Sequence, residues 1–148
     1  MKSRVLYLSI GSNIAPRREN IFRAVQALDE RLGSHLRMSS FIQTPSWGFA
    51  GGDFLNIAVS YRTDVRAEDI LKICKDIERH LGRMNEGVVL DERGNRVYQD
   101  RPIDIDIILL GEEKIDTPEL KIPHPLMWKR NFVIIPLKEI FEGELIEE

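Results

Sequence analysis

Apolar and polar positions along this chain follow two periods, one near two residues and one near 3.6. Residues 4–10 form a short apolar run that predicts a first β-strand, ended by Gly11-Ser12-Asn13. Pro16 suits the first turn of a helix. Ile21, Val25, Leu28 and Leu32 then fall on one helical stripe, and Gly33 suits the position just past its end. Residues 36–43 predict a second, more polar strand. Residues 54–62 predict a third, with Leu55, Ile57, Val59 and Tyr61 on one face and Asn56, Ala58 and Ser60 on the other. A second helix is predicted over residues 67–81. Its stripe is Ile70, Cys74, Ile77 and Leu81, its first turn carries Glu68 and Asp69, and Gly82 closes it. After a long polar loop at 83–100, residues 101–110 predict a strand of branched apolar residues. A Pro-rich tail leads to Asn131–Ile140. The order β-α-β-β-α-β predicts a ferredoxin-like α+β sandwich, a mostly antiparallel sheet with two helices on one face. The other face, flanked by the loops at 44–53 and 83–100, is free to carry a site.

Length and composition narrow the field of functions. A chain of 148 residues predicts one domain over 1–148 with a proper core. The formal net charge of −3 excludes the global basic field that nucleic-acid binders use, so any anion site must be local. No stretch approaches the roughly 20 apolar residues of a membrane span. The single cysteine, Cys74, lies on the apolar stripe of the second predicted helix and can form no internal disulfide. These features predict a cytoplasmic monomer that works on small molecules.

The chemistry concentrates in the last predicted strand. Asp104 and Asp106 alternate with Ile103, Ile105 and Ile107, so the two carboxylates share one face with Cα atoms roughly 6.5 Å apart. Two carboxylates on an apolar strand are costly to bury unless a positive charge pairs with them. A hard cation, most simply Mg²⁺, solves that problem and points to phosphate chemistry. Read alone, the pair also fits two aspartates facing water. Arg83, Arg101, Lys129 and Arg130 offer cations that can clamp phosphate oxygens, as well as ordinary surface charge. His124 is held rigidly between Pro123 and Pro125, as a phosphate or metal neighbour or as a structural histidine. Asn56 interrupts an apolar strand, either as a satisfied core amide or as a reader of a donor–acceptor edge on a planar heterocycle. Pro45, Trp47, Phe49 and Phe54 put flat apolar surfaces beside it, fit for a flat polar ring or for a lid on the sheet. Glu78 borders the apolar stripe of its helix, where a solvated flank is the ordinary reading.

Six pieces in register are similar to 6-hydroxymethyl-7,8-dihydropterin pyrophosphokinases. They are Tyr7-Leu8-Ser9-Ile10-Gly11-Ser12-Asn13, Ser39-Ser40-Phe41-Ile42-Gln43-Thr44-Pro45, Phe54-Leu55-Asn56, Ile77-Glu78 with Gly82-Arg83, Arg101-Pro102-Ile103-Asp104-Ile105-Asp106, and Pro123-His124-Pro125-Leu126-Met127 with Arg130 and Phe132. The resemblance spans nearly the whole chain. It implies transfer of pyrophosphate from the co-substrate ATP to the pterin 6-hydroxymethyl group, with AMP leaving. It implies two Mg²⁺ ions on Asp104 and Asp106, with Arg83 and Arg101 completing the catalytic set. Thr44, Pro45, Trp47, Phe54, Asn56, Tyr98 and Phe132 would hold the pterin. Lys75, Glu78, Ile107, His124 and Arg130 would hold the nucleotide.

The resemblance departs at 84–100, where relatives commonly carry an Arg-Trp-Gly-Pro-Arg-like run. Tyr98 stands in place of a stacking tryptophan, and Arg93 or Arg96 would have to supply the missing cations. Glu119 stands where some members place an arginine near ATP. Two competing readings stay open on the residues alone: a non-catalytic ferredoxin-like ligand-binding module, and another Mg²⁺-dependent phosphoryl or nucleotidyl transferase on the same fold. Production of AMP, ADP or neither separates them.

Overall fold

A computed structural model of the chain describes residues 2–45, 53–82, 93 and 102–147. Strand β1 (Arg4–Ser12) runs at the centre of an antiparallel sheet, pairing with β4 (Phe54–Thr63) on one side and β5 (Asp104–Leu110) on the other. Two short strands, β2 (Arg37–Met38) and β3 (Ile42–Thr44), pair with the far edge of β4. Helices α1 (Arg17–Leu32) and α2 (Ala67–Leu81) cover one face, as the periodicity predicts. Leu6, Leu8, Ile10, Ile57, Val59, Tyr61, Ile105 and Ile107 pack there against Ile21, Leu28, Ile70 and Ile77. Tyr61 also donates its hydroxyl to Asp29 of α1 at 2.7 Å. Among the described residues no helix is long and apolar enough to cross a membrane.

Three local expectations need correction. The first strand does not stop before Gly11. It runs on through Ser12, because Gly11 pairs with Asn56 on one side and Asp104 on the other. The polar strand expected over 36–43 is two strands. Between them the Ala58 N–H donates to Ser39 Oγ at 2.8 Å, and the Ser39 hydroxyl donates to the Ser40 carbonyl at 2.9 Å. A side chain thus takes a hydrogen bond that a regular strand would give to its backbone. The last strand begins at Asp104 rather than 101.

The tail adds what the β-α-β-β-α-β pattern leaves out. A hairpin of β6 (Ile115–Asp116) and β7 (Lys121–Ile122) precedes a third helix, α3 (Asn131–Ile140). That helix lies on the sheet face opposite α1 and α2. Val133, Ile134, Leu137 and Ile140 pack there on Tyr7, Ala58 and Ile108. The β1–β5 register shifts between Tyr7 and Leu8, so that Ile108 and Leu109 both turn toward this second cluster. The helix covers only part of the face. The uncovered part is the candidate site.

Candidate active site

The cleft beside α3 follows from the strand pairing. Thr44 pairs with Phe54 in one cross-strand rung. Ile42, Asn56, Gly11 and Asp104 form the next, across four strands. Ala58, Ser9 and Asp106 form the third. Paired residues share a face, so Asn56 and Asp104 lie on one face with only Gly11 between them, roughly 10 Å apart at two strand spacings. Ser9 and Gly11 are small, and the sheet is hollow above them. The result is a cleft of about 290 Å³ lined by Ser9, Gly11, Thr44, Pro45, Phe54, Asn56, Asp104, Asp106, Arg130 and Phe132. Arg130 and Phe132 come from the start of α3, with the guanidinium 5.7 Å from the ring centroid.

The polar groups in this cleft are out of balance. Asn56 is buried, and its Oδ1 has no hydrogen-bond partner among the described residues. Leaving such an acceptor unpaired costs about 1–3 kcal/mol, so it is a group for a ligand to satisfy. Asp106 carries the opposite imbalance. Burial, the neighbouring Asp104 and then Glu78 push its carboxyl up to about 7, against a weaker pull from Arg130. Among the described residues, the carboxylates around Asp106 outweigh the pull of the cations beside them.

A second cleft of about 240 Å³ lies on the outer side of β5. Its walls include Lys75, Ile107, Glu119, Lys121, His124 and Asp106, which borders both clefts. The β5 edge is pinned twice here. The Ile105 N–H donates to Glu78 Oε2 at 2.8 Å, and the His124 N–H donates to the Ile108 carbonyl at 2.9 Å. Glu78 is 2 % exposed and stands behind the strand, with Lys75 Nζ at 3.7 Å from its other oxygen. The Ile107 side chain is in the helix-side core. His124 Nδ1 accepts the Leu126 N–H at 3.1 Å. Partial burial, and secondarily Arg130, lower the His124 pKa. The neutral ring then keeps its proton on Nε2, as a donor.

Of the residues singled out in the sequence, Thr44, Pro45, Phe54, Asn56, Asp104, Asp106, Arg130 and Phe132 surround one cleft. Lys75, Ile107 and His124 meet Asp106 in the other. Trp47, Arg83, Arg96, Tyr98 and Arg101 lie outside the described residues, and Arg93 is exposed. Ser9 and Gly11 were missed. Their signal was present: two small residues alternate with Leu8 and Ile10 in an otherwise apolar strand.

A carboxylate pair fits Mg²⁺ in its donor chemistry. The described residues contain no group of three acidic, histidine or cysteine side chains able to hold a metal. Two carboxylates leave most of an octahedral shell to water and phosphate oxygens, which is how Mg²⁺ is usually held at phosphate sites. The excess negative charge at Asp106 is what a cation would relieve.

Two adjoining clefts that share Asp106, one lined by a buried amide with an unpaired oxygen and by aromatic rings, the other by lysines and a histidine, give this α+β sandwich the outline of a two-ligand site. Comparison with known proteins makes the assignment particular. Residues 7–142 match the family of 7,8-dihydro-6-hydroxymethylpterin-pyrophosphokinases. The chain is 42 % identical over 138 residues to the 2-amino-4-hydroxy-6-hydroxymethyldihydropteridine pyrophosphokinase of Porphyromonas gingivalis, covering 92 % of this chain and 90 % of the relative. The enzyme of the same name from Aquifex aeolicus is 36 % identical over 136 residues, 91 % of this chain and 79 % of the relative. That from Bacillus subtilis is 33 % identical over 140 residues, 93 % and 78 % respectively. The chain belongs to this pyrophosphokinase family and is an enzyme, which sets aside the non-catalytic binding module.

Proposed function

We propose that this chain transfers pyrophosphate from ATP to the 6-hydroxymethyl group of 7,8-dihydropterin in folate biosynthesis. The hydroxymethyl oxygen attacks the β-phosphorus, and AMP leaves. The observation that carries this reading is the rung of Asn56, Gly11 and Asp104. It sets an unpaired amide and a carboxylate on one face, roughly two strand spacings apart. A flat pterin paired to the Asn56 amide would point its substituent toward the aspartates. Thr44, Pro45, Phe54 and Phe132 bound the ring site, and Trp47 and Tyr98 are assigned to it by family resemblance. Phe132 offers a face for stacking.

Asp104 and Asp106 would hold Mg²⁺, and the family pattern implies two ions. Held by these carboxylates, the metal would supply positive charge to offset that of the triphosphate and to favour ionisation of the attacking hydroxyl. The chain's own residues supply position and field. Glu78 and His124 hold the β5 edge that carries the aspartates. Arg130 stands beside the carboxylates in the first cleft, in reach of ligand anions that enter it. Lys75, Ile107 and the neutral His124 line the nucleotide side, where the Nε2 proton can be donated to a phosphate oxygen. Arg83 and Arg101 are assigned to the phosphates by the family pattern. The whole chain would act as one domain and as a monomer. Its single buried cysteine suits a reducing cytoplasm.

Nucleotide chromatography after incubation with ATP, Mg²⁺ and 6-hydroxymethyl-7,8-dihydropterin tests the reading. AMP should form in step with pterin consumed. ADP as the stoichiometric product, or no pterin-dependent turnover, would end it.

A further inference from the structure

Gly11 is a glycine without a backbone reason. It lies within β1, paired on both sides, and it is not among the glycines with positive φ. Any L-residue could adopt its conformation. Space is the constraint. A Cβ on Gly11 would stand 2.3 Å from Asn56 Nδ2 and 3.2 Å from Asn56 Cγ, and no other group lies as near. The Asn56 amide therefore lies across the bare backbone of Gly11. That amide is also the one with an unpaired, buried Oδ1 on the wall of the cleft.

We propose that Gly11 is a positioning residue that determines recognition of the heterocycle by letting the Asn56 amide lie flat over β1. The inference rests on Asn56 reading the pterin, as argued above. The clash partner is the far end of a side chain. An alanine should therefore displace the amide and leave the strand in place. The amide edge would then be turned or lifted relative to the ring. A site built to pair a polar edge discriminates steeply when that pairing is lost. Asp104 is the neighbour of Gly11 on the other strand, but the added methyl meets Asn56 rather than the carboxylate, so the nucleotide side should not respond.

A double-mutant cycle on the full chain tests this, using equilibrium binding of 6-hydroxymethyl-7,8-dihydropterin in the presence of a non-hydrolysable ATP analogue and Mg²⁺. Gly11→Ala should weaken pterin binding at least tenfold and leave analogue affinity within about twofold. In an Asn56→Ala background the same Gly11→Ala change should cost less than about twofold, because the group it displaces is gone. The Asn56 side-chain amide resonances should move in the ¹⁵N spectrum of Gly11→Ala while the melting curve stays close to that of the parent. An equal cost in both backgrounds would overturn the proposal. So would unchanged pterin affinity in Gly11→Ala, or loss of folding, since the claim is that the amide yields and the strand does not. If Asn56→Ala itself binds pterin normally, the reading of Asn56 fails first and takes this one with it.

Discussion

The two faces of the central strand do different work. On one, Leu6, Leu8 and Ile10 are fully buried beneath α1 and α2. On the other, Tyr7 packs on α3 and Phe141, then Ser9 and Gly11 shrink away to leave a cleft. Consecutive residues of one strand thus serve stability and chemistry in turn. The helix-side face is mostly apolar, and its few polar groups, Glu78 and the Tyr61 hydroxyl, have partners. The cleft face carries an amide with an unpaired oxygen and two carboxylates, one of which has its pKa raised by burial and then by the other. A buried hydrophobic face supplies the free energy that lets the opposite face hold groups that would not choose to sit together.

The strongest way to break the contrast is at the carboxylates. Asp104→Ala or Asp106→Ala should lower turnover by at least about a thousandfold, the scale of several kcal/mol of lost charge stabilisation. Metal-free unfolding midpoints at pH 8 should nevertheless match or exceed the parent's, because a repulsive partner has been removed. Wild-type-like turnover in both variants would reduce the pair to surface residues.

On the helix-side face of the central strand, the converse is expected. Leu8→Ala should cost about 3 kcal/mol of stability through lost burial and a residual cavity. Turnover per folded molecule, measured below the unfolding transition, should stay within about threefold. A large loss of turnover with little loss of stability would show that the two faces are not separable.

The pH dependence sharpens the same comparison. The Asp106 pKa is raised in the folded chain from an ordinary carboxylate value to about 7. A raised folded pKa means stability is greatest below the unfolded value and is lost as pH rises through the folded one. Metal-free protein should therefore lose stability between about pH 4 and pH 7, on the order of 4 kcal/mol from this group. Asp106→Asn should flatten that stretch in urea titrations run with chelator. An unchanged slope would show that Asp106 is not the group responsible.

The smallest effect belongs to a polar contact on the helix-side face. Tyr61→Phe removes the hydroxyl that bonds Asp29 and should cost about 1 kcal/mol. Pterin and nucleotide affinities should not change, which isothermal titration would check.

Much of the fold was legible because its signals are local. The stripe Ile70, Cys74, Ile77 and Leu81 with Gly82 behind it predicts α2 over the same residues that form it. The alternation in β4 predicts which face meets the helices. Asp104 and Asp106 share a face because strand geometry leaves no alternative. Other features could not be read locally. Phe132 and Arg130 reach the cleft only because α3 lies against β1 and β4, and a short helix carrying Pro136 announces no docking face of its own. Glu78 looks like a solvated flank until the edge of β5 brings the Ile105 N–H to it. Gly11 looks like a turn residue until pairing on both sides makes it the gap beneath Asn56. Periodicity and residue type determined the elements, the faces and the kinds of chemistry available. Only the tertiary structure decided which strands lie side by side, because register comes from distant partners. It is that register which sets an amide, a glycine and an aspartate in one row.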